Sequence, residues 1–87
     1  MSDYQVIIYT SAQKQLKSLP VEISTRIEPK IDALVNEPRP DGCRKLKGKN
    51  NRWRIRVGDY RIIYSIDDEN LTLYILTVAH RREVYDK

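Results

Sequence analysis

Histidine and cysteine are almost missing from this chain, whose 87 residues include one of each, His80 and Cys43. A lone cysteine cannot form an internal disulfide, so packing must supply the stability of the fold. One histidine and one cysteine also leave no ligand set for structural zinc. The three glycines are scattered and make no phosphate-cradling motif. We therefore expect neither a metal nor a cofactor.

Long apolar runs are missing too. No run approaches the ~20 residues of a membrane span, and nothing resembles a signal peptide, so we expect a cytoplasmic protein without a membrane partner. The acids of the second half cluster at 67–69 and offer no convincing pair of catalytic carboxylates. Neither Ser-His-Asp nor Cys-His chemistry has local support. The length suffices for one domain, residues 1–87.

Positive charge is present in excess and is unevenly placed. The chain carries 16 Lys and Arg against 12 Asp and Glu, a net charge of +4, and the excess lies in the second half. Between Arg44 and Arg61 there are eight basic residues, with Asp59 as the only acid. Such a density exceeds that of a routine solvated surface, and it points to nucleic acid or another polyanion.

The segment 52–66 alternates with a period of two, as a strand pair does. Gly58-Asp59 fits a two-residue hairpin loop, which places Arg56 directly opposite Arg61. Trp53, Ile55 and Val57 then share one face with Tyr60, Ile62 and Tyr64, and we assign that face to the core. The other face sets like charges side by side, which is unfavourable by up to roughly 1 kcal/mol.

Short patterns on either side complete the fold. Residues 4–9 read as a strand, and Thr10 and Ser11 can cap a helix that follows. Pro20 stands where a second helix would begin, and the apolar stripe of that helix runs on to Asn36. Pro29 should bend the second helix on its solvent side and not break it.

The last third of the chain should add one more strand. A loop at 67–70 that puts Ile66 opposite Leu71 would bring Leu73 to Tyr64, and alternation then carries His80 onto the face of Arg61. The order strand, helix, helix and three strands predicts an α+β fold (β-α-α-β-β-β), with both helices packed on a small, largely antiparallel sheet.

One face of this sheet gathers groups that suit RNA. The candidate site comprises Arg54, Arg56, Arg61, His80, Arg81 and Tyr85. Guanidinium groups bind phosphate bidentately, and RNA carries its own nucleophile in the 2′-OH. Each residue has a plainer interpretation: the arginines could solubilise an exposed strand, His80 could be an ordinary satisfied histidine, and Tyr85 could be a packing aromatic. Residues 44–51 could be an exposed loop or an approach surface for phosphates.

Three segments of the chain closely resemble the RelE/ParE toxin superfamily. They are 45–48 (KLKG), 53–64 (WRIRVGDYRIIY) and 78–85 (VAHRREVY), and the tail is especially like the RelE branch. The resemblance covers nearly the whole chain. It implies a bacterial or archaeal toxin of a type II toxin–antitoxin pair, whose partner is a small RelB-like antitoxin. RelE-type toxins cleave mRNA in the ribosomal A site through the 2′-OH, so the resemblance implies a metal-independent endoribonuclease.

The resemblance also implies roles for single residues. Arg61 and Arg81 match the central and C-terminal arginines of the family, and Tyr85 matches its functional tyrosine. Arg54, Arg56 and His80 stand where the best-known branch has lysines. Arginine is a poor general base because its pKa lies above ~12. His80 and Tyr85 are the candidates for the base, and the sequence does not choose between them. Further RNA contacts are expected from Arg44, Lys45, Lys47, Lys49, Arg52 and Arg82.

Two other functions stay open at this point. A ParE-like inhibitor of DNA gyrase would share the fold but would bind a protein. A degenerate, non-catalytic ribosome-binding module would keep the basic surface and lack the reaction. Tyr85, together with Arg54 and Arg56, favours the RelE branch over ParE. Nothing in the sequence separates the non-catalytic module from the nuclease.

Overall fold

The computed structural model describes residues 3–48 and 51–80 of the chain. Its elements follow the order β-α-α-β-β-β-β, which confirms the predicted α+β class and adds one short strand. They are β1 (Gln5–Ile8), α1 (Thr10–Ser18), α2 (Val21–Ala33), β2 (Arg44–Lys45), β3 (Arg52–Val57), β4 (Tyr60–Asp67) and β5 (Thr72–His80). No helix of this described part is long and apolar enough to cross a membrane.

The five strands form one sheet in the order β1-β5-β4-β3-β2. All neighbours are antiparallel except β1 and β5, so the sheet is largely antiparallel as predicted. Both helices pack on one face, called here the helix face, where the core lies. Its fully buried side chains include Ile27 and Leu34 from the second-helix segment and Ile62, Tyr64, Leu73 and Ile75 from the sheet.

The first helix begins differently from the prediction. Tyr9 occupies the N-cap position, Thr10 is already helical, and no side chain caps the helix. The hydroxyl of Ser11 donates instead to the carbonyl oxygen of Leu76 at 3.3 Å, and the side-chain amide of Gln13 donates to that of Ile8 at 2.9 Å. The predicted Thr10 and Ser11 cap is therefore wrong, because the turn out of β1 is too tight to leave either residue outside the helix.

The second helix tolerates its internal proline. Pro20 is the N-cap, and the helix runs through Pro29 to Ala33 without a break. Pro29 is exposed, whereas Ile27 and Ile31 on either side of it are buried. The missing N–H and the bulky ring therefore face solvent, where water satisfies the freed carbonyl group.

The central hairpin has the predicted register. Val57 pairs with Tyr60, Ile55 with Ile62 and Arg56 with Arg61. Gly58 adopts a positive φ of 60° at the first loop position, a conformation that costs glycine almost nothing. Because a one-residue slip would turn every side chain to the other face, this loop determines which residues form the core.

The register between β4 and β5 differs from the prediction. Ile66 lies opposite Leu73 instead of Leu71, and Tyr64 lies opposite Ile75. Leu71 has a positive φ of 50° and belongs to the turn. The register then shifts between Ile63 and Tyr64, since Ile63 pairs with Thr77 and leaves Leu76 as an extra residue in β5. This bulge reverses the alternation of β5 beyond it.

Tyr4, Arg39 and Asp68 form an exposed cluster at the end of the β3–β4 hairpin that is opposite its loop. Arg39 Nη2 lies 2.9 Å from Asp68 Oδ2, and the Tyr4 hydroxyl donates to Asp68 Oδ1 at 2.7 Å. These hydrogen bonds, from Arg39 first and Tyr4 second, hold the pKa of Asp68 below its ordinary value. The Arg39 guanidinium also lies 5.0 Å from the centre of the Trp53 ring. The segment after α2 is thereby fixed against the sheet.

Candidate functional site

The face of the sheet that points away from the helices carries a group of arginines, called here the arginine face. By strand alternation it contains Arg52, Arg54 and Arg56 of β3 and Arg61 of β4. Arg56 is exposed, whereas Arg54 and Arg61 are half-buried. Arg56 and Arg61 are direct cross-strand partners, which confirms the predicted pairing of these two residues.

A second pair of arginines adjoins the first. Arg44 of β2 lies directly opposite Arg54, which puts it on the same face. Sequence reasoning placed Arg44 in a basic loop and missed this pairing, because a strand of two residues has no periodicity to detect. Like charges directly opposite each other are unfavourable in a sheet, so two cross-strand Arg–Arg pairs next to each other mark a concentration of positive charge that the strand pairing itself does not favour.

His80 lies on the other side of the sheet from these arginines. It pairs with Tyr60, and the two rings meet edge to face with their centres 5.3 Å apart. The prediction that alternation brings His80 onto the face of Arg61 is wrong. The extra residue in β5 shifts the alternation by one, so Ala79 takes the position opposite Arg61, and His80 joins Tyr60 on the helix face.

The remaining predicted residues fall into two groups. Lys45 lies opposite Trp53 and so alternates away from the arginine face, while Lys47 lies in the exposed turn after β2. Lys49, Arg81, Arg82 and Tyr85 lie outside the described residues. The structure therefore brings together Arg44, Arg52, Arg54, Arg56 and Arg61 out of the predicted set, and His80 and Lys45 stand apart from them.

The chemistry of the arginine face is that of an anion receptor. Guanidinium groups stay charged at any ordinary pH and present planar forks of donors that match phosphate oxygens. Within the described ranges no three His, Cys, Asp or Glu side chains converge as metal ligands would. The donors present are suited to a phosphodiester and to the extra negative charge that develops when it is attacked.

Comparison with known proteins identifies the family. Residues 6–85 match the model of the ParE toxin of the type II toxin–antitoxin system parDE. The chain belongs to the RelE/ParE toxin family. Among curated relatives of this family, toxin RelG of Mycobacterium tuberculosis is 35% identical over 83 residues, which cover 94% of this chain and 95% of the relative.

Solved structures of RelE toxins share the fold. The RelE–RelB complex of Pyrococcus horikoshii matches with a TM-score of 0.82 and 34% identity, over 97% of this chain and 100% of that chain. The RelBE2 toxin–antitoxin complex of Mycobacterium tuberculosis matches with a TM-score of 0.78 and 33% identity, over 91% and 99%. The chain is thus a RelE-family toxin of a type II toxin–antitoxin system, as the resemblance implied.

Proposed function

We propose that this RelE-family toxin is a ribosome-dependent endoribonuclease that cleaves mRNA in the ribosomal A site and so stops translation. The observation that carries the proposal is the direct opposition of Arg56 and Arg61 on the sheet face that points away from the helices, with Arg54 beside them. Like charges directly opposite each other disfavour a strand pair, and a phosphate held between two guanidinium groups turns that repulsion into attraction.

The reaction follows from the chemistry of RNA. The 2′-OH loses its proton and attacks the neighbouring phosphorus, and the bond to the 5′-oxygen of the next nucleotide breaks. A 2′,3′-cyclic phosphate remains on the upstream fragment, and the leaving 5′-oxygen takes up a proton, so that the downstream fragment begins with a 5′-hydroxyl. Arg61 and Arg81 hold the scissile phosphate and neutralise the charge that develops on its oxygens, and Arg54 and Arg56 assist them. Tyr85 orients the nucleotide so that the 2′-OH stands in line with the leaving oxygen.

We assign the general base to Tyr85 in preference to His80. His80 is turned towards Tyr60 on the helix face, whereas the proposed phosphate site is on the arginine face. We expect Tyr85→Phe to lower kcat at least about a hundredfold and His80→Gln to lower it less than about threefold. Single-turnover cleavage on programmed ribosomes measures both effects. A larger loss of kcat for His80→Gln than for Tyr85→Phe would assign the general base to His80.

Mapping transcript ends tests the proposal as a whole. After induction in cells, 5′ ends of a reporter mRNA should accumulate within translated codons for the wild type and not for Arg81→Ala. Purified toxin should cleave the same message on ribosomes and barely cleave it as naked RNA. Unchanged transcript ends in cells whose growth the toxin arrests would refute the nuclease.

Inhibition of DNA gyrase is the second candidate function, and one observation favours it. The family model that matches residues 6–85 describes a ParE toxin. On that alternative, induction would produce DNA breaks trapped with gyrase while reporter mRNA stays intact. Pulsed-field electrophoresis of chromosomal DNA, run beside the mapping of transcript ends, distinguishes the two targets.

We also propose a small, acidic, RelB-like antitoxin as the partner of this toxin. The matched structures from Pyrococcus horikoshii and Mycobacterium tuberculosis are both toxin–antitoxin complexes. A basic surface of this size favours an acidic segment that is partly disordered and folds on binding. Calorimetry with the product of the adjacent gene should show tight binding, and no measurable affinity would exclude the pairing. Since both the antitoxin and ribosomes act there, we place the toxin in the cytoplasm.

A further inference from the structure

An open cleft of about 440 Å³ lies at the edge of the sheet, between β3 and the C-terminal half of α2. We call it the edge cleft. Its walls come from the second helix, the turn after it, β2 and β3: Lys30, Ala33, Pro40, Asp41, Gly42, Arg44, Arg54, Ile55 and Arg56. Arg44, Arg54 and Arg56 also belong to the arginine face, so the two surfaces are continuous.

The cleft exists because β2 is short. β2 has two residues, which pair with Trp53 and Arg54, and neither of them lies opposite Arg56. Val57 and Tyr60 flank the two-residue loop and exchange hydrogen bonds, so alternation turns the backbone N–H of Arg56 away from β4 and towards the cleft. A main-chain donor is thereby added to the side chains that line the wall.

The charge of the cleft is predominantly positive. Among the described residues that line it, Lys30, Arg44, Arg54 and Arg56 are basic, and Asp41 is the one acid. Lys30, Arg44 and Arg56 are exposed and come from three different elements, so they surround the opening. Such an arrangement of cations with a main-chain N–H is a receptor for a compact oxyanion such as phosphate.

We propose that the edge cleft binds a backbone phosphate of RNA other than the one that is cleaved. The inference rests on the proposed function, because it takes the occupant of the adjoining arginine face to be RNA. A strand held at Arg56 and Arg61 continues over the edge of β3, where Lys30 and Arg44 meet its next accessible phosphate. Lys30 is then a binding residue that no sequence pattern indicated.

The test compares RNA binding by a variant that lacks two positive charges of the cleft with RNA binding by a control that lacks two positive charges elsewhere. Lys30→Gln/Arg44→Gln is the test variant. Lys14→Gln/Lys17→Gln, on the exposed side of α1, is the control of equal net charge. Asp41→Asn is a third variant with the opposite expected effect, since it removes the one acid of the wall. All four changed basic residues are exposed, so the Tm of neither double variant should fall more than about 2 °C below that of the wild type.

Two RNA ligands separate the two sources of the phosphate. One is a labelled single-stranded oligoribonucleotide with a 2′-deoxy position that blocks cleavage, and the other is the ribosome carrying mRNA with the same block. We expect the test variant to bind about tenfold more weakly and the control within about twofold of the wild type. If the test variant binds both ligands more weakly than the control does, the phosphate belongs to mRNA. If it binds only the ribosome more weakly, the phosphate belongs to ribosomal RNA.

Salt dependence and kinetics give independent measures. Loss of one phosphate contact should make the slope of log affinity against log salt shallower by about 0.7 for the test variant. Its KM should rise about tenfold with kcat within about twofold of the wild type, while Asp41→Asn binds about twofold more tightly. The inference would be overturned if the test variant bound both ligands as tightly as the control. It would also be overturned if the test variant had a lower kcat and an unchanged KM.

Failure of the inference is distinct from failure of the proposed function. If the wild type cleaves mRNA on ribosomes and the test variant matches the control, the proposed function stands and the cleft is not a phosphate site. If the wild type does not cleave but the test variant still binds RNA more weakly than the control, the cleft binds phosphate and the nuclease proposal fails.

Discussion

Arg56 is a residue whose contribution to the fold opposes its proposed role. It is exposed and directly faces Arg61, and a strand pair gains nothing from two guanidinium groups at that position. Functional sites often keep such unfavourable contacts, because the groups that bind substrate must be close together before the substrate arrives.

Replacing Arg56 should therefore separate stability from activity. We expect Arg56→Gln to raise the free energy of unfolding by up to about 1 kcal/mol, because it removes the repulsion from Arg61. The same change should lower kcat/KM on ribosomes by about tenfold to a hundredfold, since one donor to the phosphate is lost. Urea unfolding and cleavage assays measure the two effects, with Lys14→Gln as the control. A variant that is both less stable and fully active would contradict this account.

Tyr64 shows the opposite case, a polar group that serves the fold. Its side chain is fully buried, and its hydroxyl donates to the carbonyl oxygen of Pro38 at 2.7 Å. Burial raises the pKa of Tyr64 well above its ordinary value, and the neighbouring Cys43 adds to the rise. The hydrogen bond joins the centre of the sheet to the segment that follows α2.

The raised pKa of Tyr64 predicts a loss of stability in alkali. In the unfolded chain the phenol ionises near pH 10, whereas in the folded chain it stays protonated. Its contribution is thus complete below pH 10 and is lost as the pH rises from there towards the folded pKa, by up to about 1.4 kcal/mol per pH unit. We expect Tyr64→Phe to cost about 1 kcal/mol at pH 7 and to flatten the decline above pH 10. Urea titrations from pH 7 to 11 compare the two proteins, and parallel curves would refute the assignment.

At the scale of elements, the β3–β4 hairpin is the part of the sequence from which most of the sheet could be predicted. Its two-residue loop fixes the pairing of both strands, and that pairing assigns each residue to the helix face or the arginine face. The register could be predicted for this reason, and with it the opposition of Arg56 and Arg61.

Gly58 is the residue on which this hairpin depends. We expect Gly58→Ala to lower the free energy of unfolding by about 1–2 kcal/mol, because alanine is strained at its φ of 60°. Space is not the cause, since an added Cβ would meet the Arg26 guanidinium no closer than 3.5 Å. Asp59→Ala, in the second loop position, is the control and should cost less than half as much. Equal losses in urea unfolding would show that the backbone conformation of Gly58 is unimportant.

Two features of the sheet could not be predicted, and both depend on contacts between distant segments. β2 is two residues long, so it has no pattern of its own and forms only because β3 offers an edge. The bulge at Leu76 has no signature in the sequence of β5, although it reverses the face to which each later residue of the strand points. The position of His80 and the existence of the edge cleft follow from these two features, which is why both were missed.

At the scale of the whole molecule, the uneven charge links stability to binding. The net charge of +4 is the balance of an acidic first half and a basic second half, and the arginines converge on one face. Salt screens the repulsion among them and also weakens their attraction for a polyanion. The two properties should therefore respond to salt in opposite directions.

Raising monovalent salt from about 50 to 500 mM should raise Tm by about 1–3 °C and lower the affinity for single-stranded RNA about a hundredfold, if three phosphates are contacted. Thermal unfolding and fluorescence anisotropy in the same buffers measure both. The control is Arg56→Gln, whose Tm should rise less with salt. An affinity that does not depend on salt would exclude phosphate contacts as the basis of binding.

The extra residue in β5 makes this strand tolerant of one particular change in chain length. Residues 72–75 and 78–80 are half a period out of phase, and Leu76 marks the point of inversion. Deleting this one residue would restore a continuous repeat, and residues 77–80 would keep both their partners in β4 and their faces of the sheet. Loss of this single codon therefore leaves the pairing of β5 intact, because the strand carries one residue more than its neighbour can pair.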